Sequence, residues 1–453
     1  MPSPTISLCM IARNEEAFLE DCLRSVQGIC HELIVVDTGS TDRTQEIARA
    51  AGATVIETPW TNDFAAARNV GVELATGTHI LVLDADERLA PGMGPALLAG
   101  AANPDLILGC LPLYNASTMD ATPDEILDGI KRIGGPVFVP RLFVNHPLMR
   151  FERRVHETLT RGFNELQSSG DGNSIAVGAA LIHYGDVPTH RMDLAKDKRN
   201  EELLRLSLND DPSDGEVAGY LVVHLIKTGQ HDEALAVGKR HFGPFVRRNE
   251  TRPKGHLPEN MIRIGYSLAL IQSEFGHHED ALDTLEDAGR FTPEGHPNLD
   301  YVEGLAAFGA GDIDRSELAF RRAIAAHGKN FAQPVLPDVT NVLPRIKMAG
   351  IELQRGRPED ALAILPPAEG KWRFAVDLVR AEVHLAQGEP AAAMESLARY
   401  VDLERIAPDW HVLVHRALTD LGRETDGLLD AARKAARSDW LEQRRVVQAA
   451  GSH

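Results

Sequence analysis

The residue types best placed to do chemistry lie in Gly77-Thr78-His79-Ile80-Leu81-Val82-Leu83-Asp84-Ala85-Asp86-Glu87. The apolar part does not alternate with polar residues, so it reads as a strand buried on both faces. It runs straight into two carboxylates, Asp84 and Asp86, spaced one residue apart. Such a strand ends where the chain meets water, which puts both carboxylates at the carboxyl edge of a sheet, where open α/β sheets bind ligands. Neighbouring carboxylates repel each other unless a cation lies close by. A hard divalent metal carrying a substrate diphosphate suits them. Taken alone, a D-x-D after a core strand is more often a polar turn, and the upstream sequence decides between the two.

The elements that must position this edge are legible in order. Ile6 to Ile11 reads as a first buried strand, broken at Ala12-Arg13-Asn14, and Asn14 is expected to cap a helix running from Glu15 to Val26. Leu33 to Val36 is a second strand, followed by the turn Asp37-Thr38-Gly39-Ser40-Thr41-Asp42 and a helix to Ala51, closed by Gly52. Ala53 to Ile56 is a third strand. A helix from Phe64 to Ala75, closed by Gly77, leads into the strand ending at Asp84. This βαβαβαβ series demands a parallel, Rossmann-like sheet. Beyond Pro91 the pattern loosens. Leu106 to Leu113 reads as a strand and residues 114–135 as a mobile insertion. Val137 to Val139 and Arg141-Leu142-Phe143 read as a short strand pair, and Ile175 to Ile182 as a last apolar segment before His183-Tyr184-Gly185. The expected domains are residues 1–190, a helical linker at 191–212 and an all-α region at 213–453.

That second half repeats a phrase. Lys227-Thr228-Gly229-Gln230-His231-Asp232-Glu233-Ala234-Leu235 returns as Phe275-Gly276-His277-His278-Glu279-Asp280-Ala281-Leu282 and as Arg355-Gly356-Arg357-Pro358-Glu359-Asp360-Ala361-Leu362. Weaker versions stand at Gly311-Asp312 and Gly388-Glu389. These spacings suit a helix-pair solenoid: glycine ends one helix, an acidic residue caps the next, and a small alanine lets the two approach. The half resembles the tetratricopeptide-repeat family in a degenerate form, which implies peptide or protein binding, or a homodimer formed through the repeats.

Composition removes several classes of function. A hydrophobic content of 43% and a charged content of 25% over 453 residues are those of a globular chain with more than one core. A net charge of −19 argues against nonspecific nucleic-acid binding and against docking on anionic lipid. No apolar run reaches the length of a transmembrane segment, and the N-terminal run is too short for a signal peptide. The four cysteines have no C-x-x-C spacing and read as buried thiols, so a cytoplasmic location is expected.

Four phrases together resemble the family-2 glycosyltransferases of GT-A fold: Ser7-Leu8-Cys9-Met10-Ile11-Ala12-Arg13-Asn14-Glu15-Glu16, Val35-Val36-Asp37-Thr38-Gly39-Ser40-Thr41-Asp42, Ala67-Arg68-Asn69-Val70-Gly71 and Leu83-Asp84-Ala85-Asp86-Glu87. With the repeats, the chain resembles the group that includes bacteriocin S-glycosyltransferases and lipopolysaccharide-core glucosyltransferases. The resemblance implies a GT-A domain before a tetratricopeptide-like domain, a nucleotide-sugar donor (a UDP-sugar), a divalent Mn2+ or Mg2+, and inversion at the anomeric carbon. It implies that Asp37 accepts the uracil N–H, that Ala12 and Arg13 frame the base, and that Arg68 contacts base or phosphate. Asp84 then holds the ribose and Asp86 the metal, with Asp84 and His183 as further metal ligands. Val155-His156-Glu157 matches the subgroup's V-H-E phrase, which implies Glu157 as base and His156 as a sugar or phosphate contact. The plainer alternatives are a solvated Arg68, a His156–Glu157 pair that is only structural, and a core His183 whose doubt Asp186 shares.

A sugar nucleotidyltransferase would want a glycine-rich phosphate loop after the first strand, and Ala12-Arg13-Asn14-Glu15-Glu16 is acidic and lacks glycine. A repeat adaptor on an inactive sheet would want the carboxylate pair broken, and it is intact. The acceptor stays open between a peptide or protein side chain, a lipopolysaccharide-core sugar and a small molecule. The repeats favour the first by analogy.

Overall fold

The computed structural model describes residues 3–185, 187, 194–250, 261–329, 335, 336, 338–400, 408–423 and 425. The chain divides into two compact units, Met1–Asp210 and Asp211–His453.

The first unit opens with β1 (Ile6–Ala12), α1 (Leu19–Ser25), β2 (Glu32–Asp37), α2 (Thr44–Ala50), β3 (Thr54–Glu57), α3 (Phe64–Leu74) and β4 (His79–Val82). It continues through β5 (Glu87–Leu89), α4 (Gly94–Ala101), β6 (Leu106–Ala116), α5 (Pro123–Leu127), β7 (Arg132–Val144), α6 (Thr160–Ser169), β8 (Asn173–Ala176), β9 (Leu181–His183) and α7 (Leu194–Asp210). The described strands form a nine-stranded sheet in the order β3-β2-β1-β4-β7-β6-β9-β5, with β8 pairing β6. From β3 to β4 every pairing is parallel, as the strand–helix alternation requires; β7 then joins β4 antiparallel. The parallel part is buried on both faces. Ile6, Leu8 and Met10 of β1 pack with Leu19 and Leu23 of α1 on one side, and Cys9 joins Ile34, Val72 and Ile80 on the other. This is why the strand residues lack polar alternation.

Four local expectations are corrected. Asn14 does not cap a helix: its backbone is left-handed (φ 57°) and α1 starts only at Leu19. Gly77 does not end α3 in a left-handed turn; it is needed because a Cβ there would lie 2.6 Å from Ser7 Oγ. Residues 114–135 are not a loose insertion. They carry the end of β6, a helix with a capping box between Thr122 and Glu125, and the start of β7, which replaces the expected short strand pair with one strand of 13 residues. The apolar segment before His183 is two strands, both lying parallel along β6. Part of the expected linker, residues 191–193, and Asp186 lie outside the described residues; α7 falls within the first unit.

The second unit stacks helix pairs: α8 (Gly215–Lys227) with α9 (His231–Asn249), α10 (Met261–Glu274) with α11 (His278–Gly289), and α12 (Pro297–Gly309) with α13 (Ile313–Ala325). α14 (Val342–Gln354) pairs with α15 (Pro358–Ile364) and α16 (Arg373–Ala386) with α17 (Pro390–Ala398), before α18 (Pro408–Asp420). The repeated phrase sits at each turn. Gly229, Gly276, Gly311, Gly356 and Gly388 all have φ between 70° and 83°. Ala234, Ala281, Ala361 and Ala393 are fully buried, and Ser316 takes their place in the third pair, donating to Gly304 O at 2.7 Å. The acidic residues mostly do not cap. Of the phrase's acids only Asp312 does, accepting from Arg315 N at 3.0 Å; Glu389 holds the N-cap position of α17 but turns its carboxylate to His384, and the others lie in the first turn and act on the helix dipole.

Candidate active site

Ala12 and Asp37 end β1 and β2 side by side in register. The two loops that follow are zipped together: Asn14 N donates to Ser40 Oγ (2.9 Å), Thr41 N to Asn14 Oδ1 (2.8 Å), Glu15 N to Thr44 Oγ1 (2.8 Å) and Glu16 N to Asp42 Oδ2 (3.1 Å). A left-handed Asn14 is what lets its amide and side chain face the second loop together. Asp37 is buried, and its Oδ2 accepts from Gly39 N, Ser40 N and Gln45 Nε2 at 3.2, 3.1 and 2.8 Å. Burial pushes its pKa up, but the hydrogen bonds from Ser40, Gln45 and Gly39 outweigh it and hold the carboxyl below its usual range. Oδ1 is buried with no protein partner. Arg13 is exposed at the rim.

Helix α3, capped by Asp63 Oδ1 on Ala66 N (2.8 Å), delivers Arg68 to the same edge. The Arg68 side chain is 9% exposed; its Nη2 meets Asp84 Oδ1 at 2.8 Å and its Nε meets Glu157 Oε1 at 2.5 Å. Burial disfavours the charge, but Asp84 and Glu157 hold the guanidinium firmly protonated. Asn69, next in the same phrase, pins the segment that carries Glu157: it donates to Phe151 O and accepts from Phe151 N, both at 2.9 Å. His156 is exposed with a left-handed backbone (φ 53°). Thus Arg68, Asp84 and Glu157 converge, while His156 faces solvent one residue away.

The two motif aspartates differ. Asp84, partly exposed, is held on both oxygens, Oδ1 by Arg68 and Oδ2 by Arg141 Nη2 at 2.9 Å, and the two guanidiniums keep its carboxyl well below its usual range against the partial loss of water. Asp86 instead faces His183, with Oδ2 3.4 Å from Nε2. β5 pairs with β9 through Glu87 and His183, which sets this approach, and a Cβ on Gly185 would fall 2.0 Å from Asp86 Oδ2.

Two family models match parts of the chain. Residues 7–159 match the model described as glycosyl transferase family 2, which spans β1 through the Glu157 segment. The first unit carries a glycosyl transferase family 2 domain. Residues 375–399, in α16 and α17, match a tetratricopeptide repeat model. A TPR repeat-containing protein of Synechococcus elongatus is 32% identical over 285 residues, 62% of this chain and 65% of that protein. The SPbeta prophage-derived glycosyltransferase SunS of Bacillus subtilis is 24% identical over 254 residues, 55% of this chain and 56% of its own length. The matches therefore span less than two thirds of these relatives. A tetratricopeptide repeat protein from Parabacteroides merdae superposes with a TM-score of 0.41 at 17% identity, covering 56% of this chain and 93% of its own.

Within the family 2 domain, sequence reasoning missed Arg141, Glu87 and Asn69. Glu87 is almost wholly buried; Arg141 Nη2 donates to its Oε1 and its Oε2 accepts from Asp84 N at 3.1 Å. The charges here suit a divalent cation. Asp84, Asp86 and Glu157 are three carboxylates against the two guanidiniums of Arg68 and Arg141, a formal excess of one negative charge; Glu87, whose pKa is pushed up by burial and by Asp84, adds a second when ionised. His183 Nδ1 lies 2.9 Å from Asn115 Oδ1; a proton donated there turns the Nε2 lone pair toward Asp86, the tautomer a metal ligand needs. Among the described residues no three acidic, histidine or cysteine side chains gather as a ready cation site. Asp86 and His183 would supply two positions, and Asp84 stays with its arginines. Among the described residues no helix is long and apolar enough to cross a membrane.

Proposed function

We propose that the family 2 domain transfers a sugar from a UDP-sugar to an acceptor nucleophile with inversion at the anomeric carbon, in a metal-dependent reaction. The observation that carries this reading is the edge itself: β2, β1 and β4 deliver Asp37, Ala12 and the Asp84–Asp86 pair to one line. Asp37 Oδ1, buried with no protein partner, is an acceptor suited to the uracil N–H, with Ala12 and Arg13 beside the base. Asp84, held by Arg68 and Arg141, faces the ribose, and Arg68 places positive charge beside the diphosphate. Asp86 and His183 hold Mn2+ or Mg2+. That cation supplies positive charge to the leaving diphosphate. The acceptor atom forms the new bond to the anomeric carbon as the bond to the diphosphate breaks, and UDP leaves with the electron pair. Arg68 takes Oε1 of Glu157, and Oε2 receives the acceptor's proton.

The acceptor we favour is a peptide or protein side chain recruited by the helical repeats, which also suit a homodimer. Four free cysteines, buried or half-buried, fit a cytoplasmic enzyme. The test is release of UDP from a panel of UDP-sugars by the full chain, with and without Mn2+ or Mg2+. Metal-dependent hydrolysis of one donor by the wild type, abolished in Asp86→Ala, is the expected result. No hydrolysis or binding of any donor, with Asp86→Ala indistinguishable from wild type, overturns the reading.

A further inference from the structure

Arg141 reaches the site through an irregularity in the sheet. β6 and β7 pair as Gly109 with Leu142 and Cys110 with Pro140, so Arg141 is the residue skipped between them. An extra residue of this kind is a β-bulge, a device that turns a side chain out of the regular alternation. Pro140, with no N–H to give to a ladder, suits that place. On the other side of β7, Leu142 pairs with Leu81 and Phe143 with Ile80, which fixes the strand against β4 just before Asp84. The bulge therefore aims the Arg141 guanidinium at the motif. It holds Asp84 Oδ2 at 2.9 Å and Glu87 Oε1 together, while Glu87 Oε2 and backbone N bind back to Asp84 N and O. The result is a closed ring, Arg141–Asp84–Glu87, opposite Arg68.

Such a ring is an expensive way to hold a sheet edge. Buried ion pairs contribute little net stability compared with apolar residues of the same volume. Arg141 is 17% exposed and Glu87 only 2%, so both charges have given up most of their water. A bulge and a buried pair spent beside the motif are better explained by what they fix: the direction of the Asp84 carboxylate.

We infer that Arg141, aimed by the bulge at Pro140–Arg141, is a positioning residue that orients Asp84 for the nucleotide through a ring closed by Glu87. This rests on the nucleotide-sugar reading above. The test uses the full chain, with UDP–Mn2+ binding by calorimetry, hydrolysis of the best UDP-sugar, and thermal melting. Arg141→Lys keeps the charge but replaces the fixed planar guanidinium, whose Nη2 alone bridges Asp84 and Glu87, with a freely rotating ammonium. It is expected to weaken UDP–Mn2+ binding and raise the donor KM about tenfold, with a melting temperature close to wild type. The double variant Glu87→Gln/Arg141→Gln replaces the ion pair by a neutral one. It is expected to melt near wild type yet stay at least ~100-fold down in hydrolysis, because Asp84 is held from one side only. Recovery of binding and hydrolysis along with melting in the double variant, or an Arg141→Lys protein with wild-type donor KM, overturns the inference and assigns Arg141 to the fold alone. A wild type that binds no UDP–Mn2+ fails earlier and sinks the nucleotide reading itself.

Discussion

The sheet edge of the first unit and the helix turns of the second are both written in short polar phrases, but they use them differently. At the edge each phrase is used once, and its residues divide the work. Arg68 takes two carboxylates and the adjacent Asn69 pins a backbone segment; Asp84 turns to guanidiniums and Asp86 to an imidazole. At the turns one phrase is used five times for one job, with glycine in the left-handed region and a small residue buried behind it. Sites concentrate buried charge that a fold does not need, whereas repeats concentrate small residues that every pair needs. Substitutions at the two places should therefore separate activity from stability.

The largest effect is expected at Arg68. Arg68→Gln leaves Glu157 and Asp84 without their shared cation. Breaking a buried pair costs about 3–5 kcal/mol, and the solvent that reaches Asp84, 39% exposed, places the loss at the lower end. Donor hydrolysis should fall by about 10³-fold or more, since a site charge is lost as well. Melting and UDP release measured on one sample check this. Hydrolysis that falls only in proportion to the unfolded fraction would make the edge behave like a repeat turn and break the comparison.

A middle-sized effect is expected at the turns. Ala281 is fully buried in α11, the helix that packs against α10, so Ala281→Leu overpacks that core and should cost about 1–3 kcal/mol. Below the new melting temperature hydrolysis without a polypeptide acceptor should be unchanged. A loss of hydrolysis at full folding would show that the two regions are not independent.

What could be read from the chain follows the same division. Apolar runs ending in Asp37 and Asp84 announce parallel strands and their reactive edge, because burial on both faces leaves no other pattern. The glycine turns are legible because one conformation recurs. Arg141 was hidden because its role depends on a bulge in a strand more than fifty residues from Asp84; Pro140 inside a strand-like run was the available signal. Thr122-Pro123-Asp124-Glu125 likewise announced the capped helix in residues 114–135. The separation of Asp84 from Asp86 could not be read, since it is set by partners on α3, β7 and β9.

The smallest effect divides site from scaffold within a single strand. Glu32 and Asp37 stand at the two ends of β2. Burial raises each pKa, but hydrogen bonds outweigh it: Ser7 and Thr76 hold Glu32 below its ordinary 4.5, and Ser40, Gln45 and Gly39 hold Asp37 below 3.8. With a folded pKa below the unfolded one, the unfolded chain binds more protons, so each carboxylate stabilises the fold above its ordinary value. That contribution is lost as pH falls through the depressed folded pKa. Melting temperature should therefore drop with acid below about pH 4.5, less steeply in Glu32→Gln or Asp37→Asn than in wild type. UDP binding at neutral pH should distinguish them. Glu32→Gln keeps it, because Ser7 and Thr76 face away from the edge, whereas Asp37→Asn turns a buried acceptor into an amide and weakens it. Equal UDP binding in the two variants would remove Asp37 from the nucleotide site and leave it, like Glu32, a strand-end brace.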